Sequence, residues 1–150
     1  MVVEVTVIQE GLYRLRNVGS GQLLAVAGDK QRSGAKIRQS PADGSAGQLW
    51  RITAVHPGGG LYHLESEGSG KRLDVTGART DNGVPLQLWG PNGFGAQEWL
   101  LEQHVDTPGT YNLVSFVSGL TLEVADDDTA RQWEDLDTPA QWWHLEPAAP

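Results

Sequence analysis

The sequence has 150 residues, 39% hydrophobic and 20% charged, the size and make-up of one globular domain rather than two. Its 11 basic residues stand against 19 acidic ones, and the net charge of −8 excludes easy binding to a nucleic-acid backbone or insertion into an anionic bilayer. Zero cysteines exclude disulfides, thiolate metal sites and cysteine nucleophiles, and no run of about 18 apolar residues is available to span a membrane.

Residues 1–10 come first. Val3, Val5 and Val7 alternate, which predicts a lead-in strand. The segment has no basic n-region and no long apolar stretch, so no signal peptide is expected. Cytoplasmic and leaderless secreted locations both remain compatible with the sequence.

From residue 11 a repeat organises the chain. Gly11-Leu12-Tyr13-Arg14-Leu15 returns as Gly60-Leu61-Tyr62-His63-Leu64, then as Gly109-Thr110-Tyr111-Asn112-Leu113, each time 49 residues on. Between the first two copies the register has no gap. Gly19-Ser20-Gly21 falls on Gly68-Ser69-Gly70, Leu24 on Leu73, Gly34 on Gly83, and Gln48 and Trp50 on Gln97 and Trp99. The third copy keeps the register through Ser118-Gly119 and Leu122-x-Val124. It then loses five residues in the acidic loop Asp126-Asp127-Asp128 and recovers at Trp133. The units are 11–59, 60–108 and 109–147, within one domain spanning 1–150.

Within a unit the apolar period is two. Tyr13–Asn17, Leu24–Ala27, Ala35–Arg38 and Leu49–Thr53 are short candidate strands, separated by glycine-rich turns. No helical apolar stripe survives three turns without a glycine or proline. Four strands in each of three units predict an all-β fold of about twelve strands. Trp50, Trp99 and Trp143, at one position of each unit, are expected in the core.

Each unit ends in Gln-x-Trp: Gln48-Leu49-Trp50, Gln97-Glu98-Trp99 and Gln141-Trp142-Trp143. Three such motifs, in register with the repeat, resemble the ricin B-type lectin family along nearly the whole chain. The second unit is the most similar, with Gly70-Lys-Arg-Leu-Asp74-Val-Thr-Gly77 followed by Leu86-Gln-Leu-Trp89-Gly-Pro-Asn92-Gly93. The resemblance implies a β-trefoil, with a six-stranded barrel and six strands in capping hairpins. It also implies sugar binding, often of galactose or N-acetylgalactosamine. Many relatives carry one disulfide per unit. The matching pairs here are Leu23 and Ala42, Arg72 and Pro91, and Thr121 and Asp135, so the chain resembles a cysteine-free branch.

The residues have the chemistry such binding needs. A galactose-type sugar has one apolar C–H face and a rim of hydroxyls, so its site requires a flat aromatic wall and a few placed polar groups. A carboxylate accepts from two neighbouring hydroxyls through charge-assisted bonds, and an amide adds a donor and an acceptor. In the second unit Asp74 is the candidate carboxylate, Trp89 the wall, and Gln87 and Asn92 the amides. Substituting Asp74 or Trp89 is expected to weaken binding and spare the fold. Where the family often has a sugar-binding asparagine, just before Gln-x-Trp, this unit has Ala96. The third unit offers Glu123 and Trp133 as a second candidate pair, with Ala140 before its motif. The first unit has Ala25, Ser40 and Gly47 at the matched positions and is expected to be structural.

Other features carry less. Gln48, Gln97 and Gln141 are expected to satisfy loop backbone groups, Trp142 to face outward, and the Asp126–Asp128 loop to be solvated. His56, His63, His104 and His144 form no metal-binding spacing, and no nucleophile elbow or phosphate loop is present, so neither catalysis nor a cofactor is expected. The expected partners are glycans or glycoconjugates, with no nucleic acid and no membrane insertion; the sequence leaves the oligomeric state open. A β-trefoil that binds protein, for example as a protease inhibitor, is the alternative, because one fold hosts both functions.

Overall fold

The computed structural model describes residues 7–148. Among them are twelve strands and five single turns of 3-10 helix. The first unit supplies β1 (Gly11–Asn17), β2 (Leu23–Val26), β3 (Ile37–Ser40) and β4 (Trp50–Ala54). The second supplies β5 (Leu61–Ser66), β6 (Arg72–Val75), β7 (Leu86–Trp89) and β8 (Trp99–Gln103). The third supplies β9 (Thr110–Ser115), β10 (Thr121–Val124), β11 (Ala130–Trp133) and β12 (Trp143–Pro147). Antiparallel pairing runs β1–β4–β5–β8–β9–β12 and returns to β1, so six strands close a barrel and leave no open edge. The remaining strands pair as the hairpins β2–β3, β6–β7 and β10–β11. Three equivalent backbone bonds join these hairpins into a triangle: Leu88 N to Ala35 O, Gln132 N to Val84 O and Gln39 N to Asp128 O. This is the β-trefoil.

The local causes repeat threefold. Strand β5 buries Tyr62, Leu64 and Ser66 and leaves Leu61, His63 and Glu65 partly exposed, the alternation that puts one face of a strand in a core. Gly21, Gly70 and Gly119 turn the chain from the first strand of each unit into the second. Their φ values of 75°, 73° and 72° are left-handed, and each N–H closes the turn onto a carbonyl four residues back.

The barrel is filled in layers. Leu15, Leu64 and Leu113 are fully buried at one level, and Tyr13, Tyr62 and Tyr111 are buried at another. Trp50, Trp99 and Trp143 have no exposed surface. Each indole N–H donates to a buried carbonyl, of Leu24, Leu73 and Leu122, at 3.0, 3.1 and 3.1 Å. The tryptophans therefore tie each hairpin to the barrel wall as well as filling the core.

Some local expectations differ. Strand β3 begins at Ile37 rather than Ala35, because Ala35 O accepts from Leu88 N of β7 in the second unit and Lys36 bridges to Gln87 there, while Lys36 O still accepts from Ala27 N beside its own hairpin. Residues 7–10 are not strand; Ile8 is buried and its N–H donates to the Tyr62 hydroxyl, while Val7 is exposed. Val3 and Val5, on which the lead-in strand rested, lie outside the described residues. Trp142 does not face outward freely. It is half-buried, its ring meets His104 edge-to-face at 5.3 Å, and its buried indole N–H has no hydrogen-bond partner among the described residues.

Candidate functional site

The second unit holds a cleft of about 460 Å³, lined by Asp74, Thr76, Gly77, Ala78, Gln87, Trp89, Asn92, Phe94 and Ala96. All four candidates of this unit meet there. The β6–β7 register sets Asp74 opposite Gln87, and Trp89 follows two residues later on the same face of β7. Leu86 and Leu88, on the opposite face, are buried and anchor that strand. After Trp89 the chain leaves β7, and the 3-10 turn Gly95–Gln97 brings Ala96 and Gln97 back beneath the cleft.

Asp74 is the floor. It is only 5% exposed, and both carboxylate oxygens accept an amide: Oδ1 from Gln87 Nε2 at 3.0 Å, Oδ2 from Gln97 Nε2 at 3.1 Å. Burial pushes its carboxyl above the ordinary carboxylate value, and the two amide bonds oppose that rise. An ionised carboxylate has about four lone-pair sites, so two remain for a ligand. Trp89 is 43% exposed and presents its ring to the cleft. Asn92 is placed differently from a free amide. Its Oδ1 accepts from Phe94 N at 3.0 Å, so half of the side chain shapes the loop.

Two contributors were not legible as site residues. Gln97 does more than satisfy the loop. Its Oε1 accepts from Asn92 N at 3.1 Å and its Nε2 donates to Gly90 O at 2.9 Å, and the same Nε2 holds Asp74. Phe94, 71% exposed, lines the cleft across the loop from Trp89. Its counterpart in the first unit is Ser45, and that contrast between repeats was the available signal. Arg72 braces the loop from behind, paired with Glu65 at 3.1 Å and donating to Asn92 O at 3.4 Å.

The third unit brings Glu123 and Trp133 together, with a third party between them. Glu123 Oε1 accepts from Gln141 Nε2 at 3.0 Å, as Asp74 does from Gln97. Its Oε2 lies 2.7 Å from both Nε and Nη2 of Arg131. The Arg131 guanidinium carbon also sits 4.5 Å from the centroid of the Trp133 ring. The first unit keeps a smaller cleft of about 330 Å³ over Ala25, Arg38 and Ser40. There the Gln48 amide donates to Ser40 Oγ at 2.9 Å in place of a carboxylate. In the acidic loop, Asp126 and Asp127 are exposed, but Asp128 accepts from Gln39 Nε2 at 2.9 Å and links the third hairpin to the first. Among the described residues no group of three or more His, Asp or Glu is placed to hold a metal ion, and no helix is long and apolar enough to cross a membrane.

A family model described as ricin-type beta-trefoil lectin domain-like matches residues 3–89 and 95–150. The designed 3-fold symmetric protein ThreeFoil is similar at 31% identity and TM-score 0.87, over 92% of this chain and 99% of its own. An exo-beta-1,3-galactanase from Clostridium thermocellum is similar at 28% identity and TM-score 0.85; the match covers 98% of this chain and 32% of the galactanase. The Macrolepiota procera ricin B-like lectin, solved in complex with lactose, shares the fold at 17% identity and TM-score 0.79, over 95% of this chain and all of its own. No curated protein matches the sequence.

Proposed function

The chain belongs to the ricin-type β-trefoil lectin domain-like family, and on that premise we propose that it is a carbohydrate-binding module, one trefoil over 1–150, whose second-unit cleft takes galactose- or N-acetylgalactosamine-type sugars. The observation that carries this is Asp74, a buried carboxylate held by two amides with two acceptor sites left over, set behind the exposed ring of Trp89. Galactose has adjacent hydroxyls on one edge and an apolar C–H face beside them. The hydroxyls donate to Asp74 and the C–H face stacks on Trp89. Gln87 orients the carboxylate, and Asn92 shapes the rim. Ala96 supplies no polar contact, so affinity for a single sugar is on the order of millimolar, as suits a small hydrated ligand with one apolar face. A protease-inhibiting trefoil would have no use for a buried carboxylate behind a tryptophan.

A glycan array tests this. Binding is expected to glycans ending in galactose or N-acetylgalactosamine, and is expected to vanish in Trp89→Ala, whose exposed ring is not part of the core. Silence of the wild-type protein across the array, with inhibition of a protease instead, would reverse the conclusion.

A further inference from the structure

We propose that the third unit is a second sugar site closed by its own Arg131, which stands where a ligand would stand. This rests on the sugar-binding reading of the second unit. The two units are built alike up to one residue. In each hairpin the carboxylate faces a cross-strand partner, Asp74 opposite Gln87 and Glu123 opposite Arg131. In each, the Gln-x-Trp glutamine holds the other carboxylate oxygen, at 3.1 and 3.0 Å. In each, a tryptophan follows two residues after the partner, Trp89 and Trp133.

The difference lies in what the partner does. Gln87 gives Asp74 one hydrogen bond and leaves Trp89 uncovered. Arg131 gives Glu123 Oε2 two charge-assisted contacts of 2.7 Å and lays its guanidinium over Trp133 at 4.5 Å. Arg131 Nε and Gln141 Nε2 each hold one of the two carboxylate oxygens by a hydrogen bond, and Nη2 crowds the Oε2 that Nε already occupies. The guanidinium thus does both things a sugar would do. Its N–H groups meet the carboxylate as hydroxyls would, and its flat face covers the ring as a C–H face would. A neutral sugar has no charge to offer Glu123 in exchange, and breaking a buried pair leaves an uncompensated ion. Glu123 is 7% exposed in its side chain and Arg131 32%, so the pair is desolvated on the side where it matters. The first unit supplies the control. Arg38 occupies the same register opposite Ala25, finds no carboxylate there, and turns instead to the Gln39 carbonyl and Asp128; that cleft stays open.

The test is a titration with methyl β-galactoside followed through the tryptophan indole N–H signals in NMR, with Trp89→Phe and Trp133→Phe assigning the two of interest. In the wild type the Trp89 signal should shift and saturate while Trp133 stays still. In Arg131→Gln, which installs the second unit's residue, both should shift. Glu123→Asp combined with Arg131→Gln reproduces the whole second-unit pair and carries the test if the single variant does not fold. A saturating Trp133 shift in the wild type overturns the closure, as does a folded variant whose Trp133 signal never moves. Failure of both variants to fold also overturns it, making Arg131 a structural partner only. A still Trp89 with a moving Trp133 in Arg131→Gln leaves the closure standing and sinks the second-unit reading. No shift of either signal in any protein sinks both.

Discussion

Asp74→Asn exchanges one buried oxygen for nitrogen and should separate binding from folding. The new side chain can keep its oxygen toward Gln97, whose amide is locked in orientation by Asn92 N at 3.1 Å and Gly90 O at 2.9 Å. Its NH2 group then faces Gln87. That side chain is half-buried and its amide bonds Asp74 alone among the described residues, so it can rotate to present its oxygen instead. Both hydrogen bonds are re-formed. They lose charge assistance, and the fold no longer buries a charge, so the net change is within about 1 kcal/mol. For a domain of this size that is a melting shift of at most about 4 °C. The ligand feels the change in full. The ion is gone and one acceptor site with it, a loss of about 1.5–3 kcal/mol for hydrogen bonds to a charged group. Galactoside Kd should therefore rise roughly 10- to 150-fold. Calorimetric titration and a thermal melt of the same preparation measure both quantities. A Kd within about threefold of wild type, or a melting point lowered by more than about 10 °C, would refute the argument from amide geometry.

Three other outcomes follow from the same contacts. Gln97→Leu should lower affinity and stability together, unlike Asp74→Asn, because it strips partners from Asp74, Gly90 O and the buried side of Asn92 N at about 1–3 kcal/mol for each group left bare; an unchanged melt would show that these bonds are dispensable. Trp99→Ala should cost about 3–5 kcal/mol from the fully buried ring, with the Leu73 carbonyl unpaired as well, and drop the melting point by roughly 6–20 °C in calorimetry. Galactoside affinity should fall on acidification, starting above the ordinary carboxylate range, because burial raises the Asp74 carboxyl and the ionised form is the one that accepts sugar hydroxyls. Asp74's contribution to stability has the opposite sign. It is fully present below the unfolded value, about 3.9, and is lost as pH rises through the higher folded value. Binding measured against pH in wild type and Asp74→Asn checks this, and a pH dependence surviving in the variant assigns it to another group.

The repeat made most of the architecture readable. A 49-residue register with period-two apolar spacing dictates twelve strands and places Trp50, Trp99 and Trp143 at one level, because equivalent positions in equivalent units must occupy equivalent places. Asp74, Gln87 and Trp89 were readable as a set for the same reason: residue type and spacing along a hairpin decide which side chains share a face. Tertiary structure decided the rest. That Ala35 pairs with β7 rather than with its own hairpin depends on how three hairpins meet, which no unit encodes alone. That Gln97 reaches back to hold Asp74 depends on the 3-10 turn that closes the loop after β7. Glu123 and Trp133 had the right types at the right spacing. Arg131 lies between them because a guanidinium is long enough to bond a carboxylate and flat enough to cover an indole at once, and only side-chain positions in space reveal that both partners are within its reach.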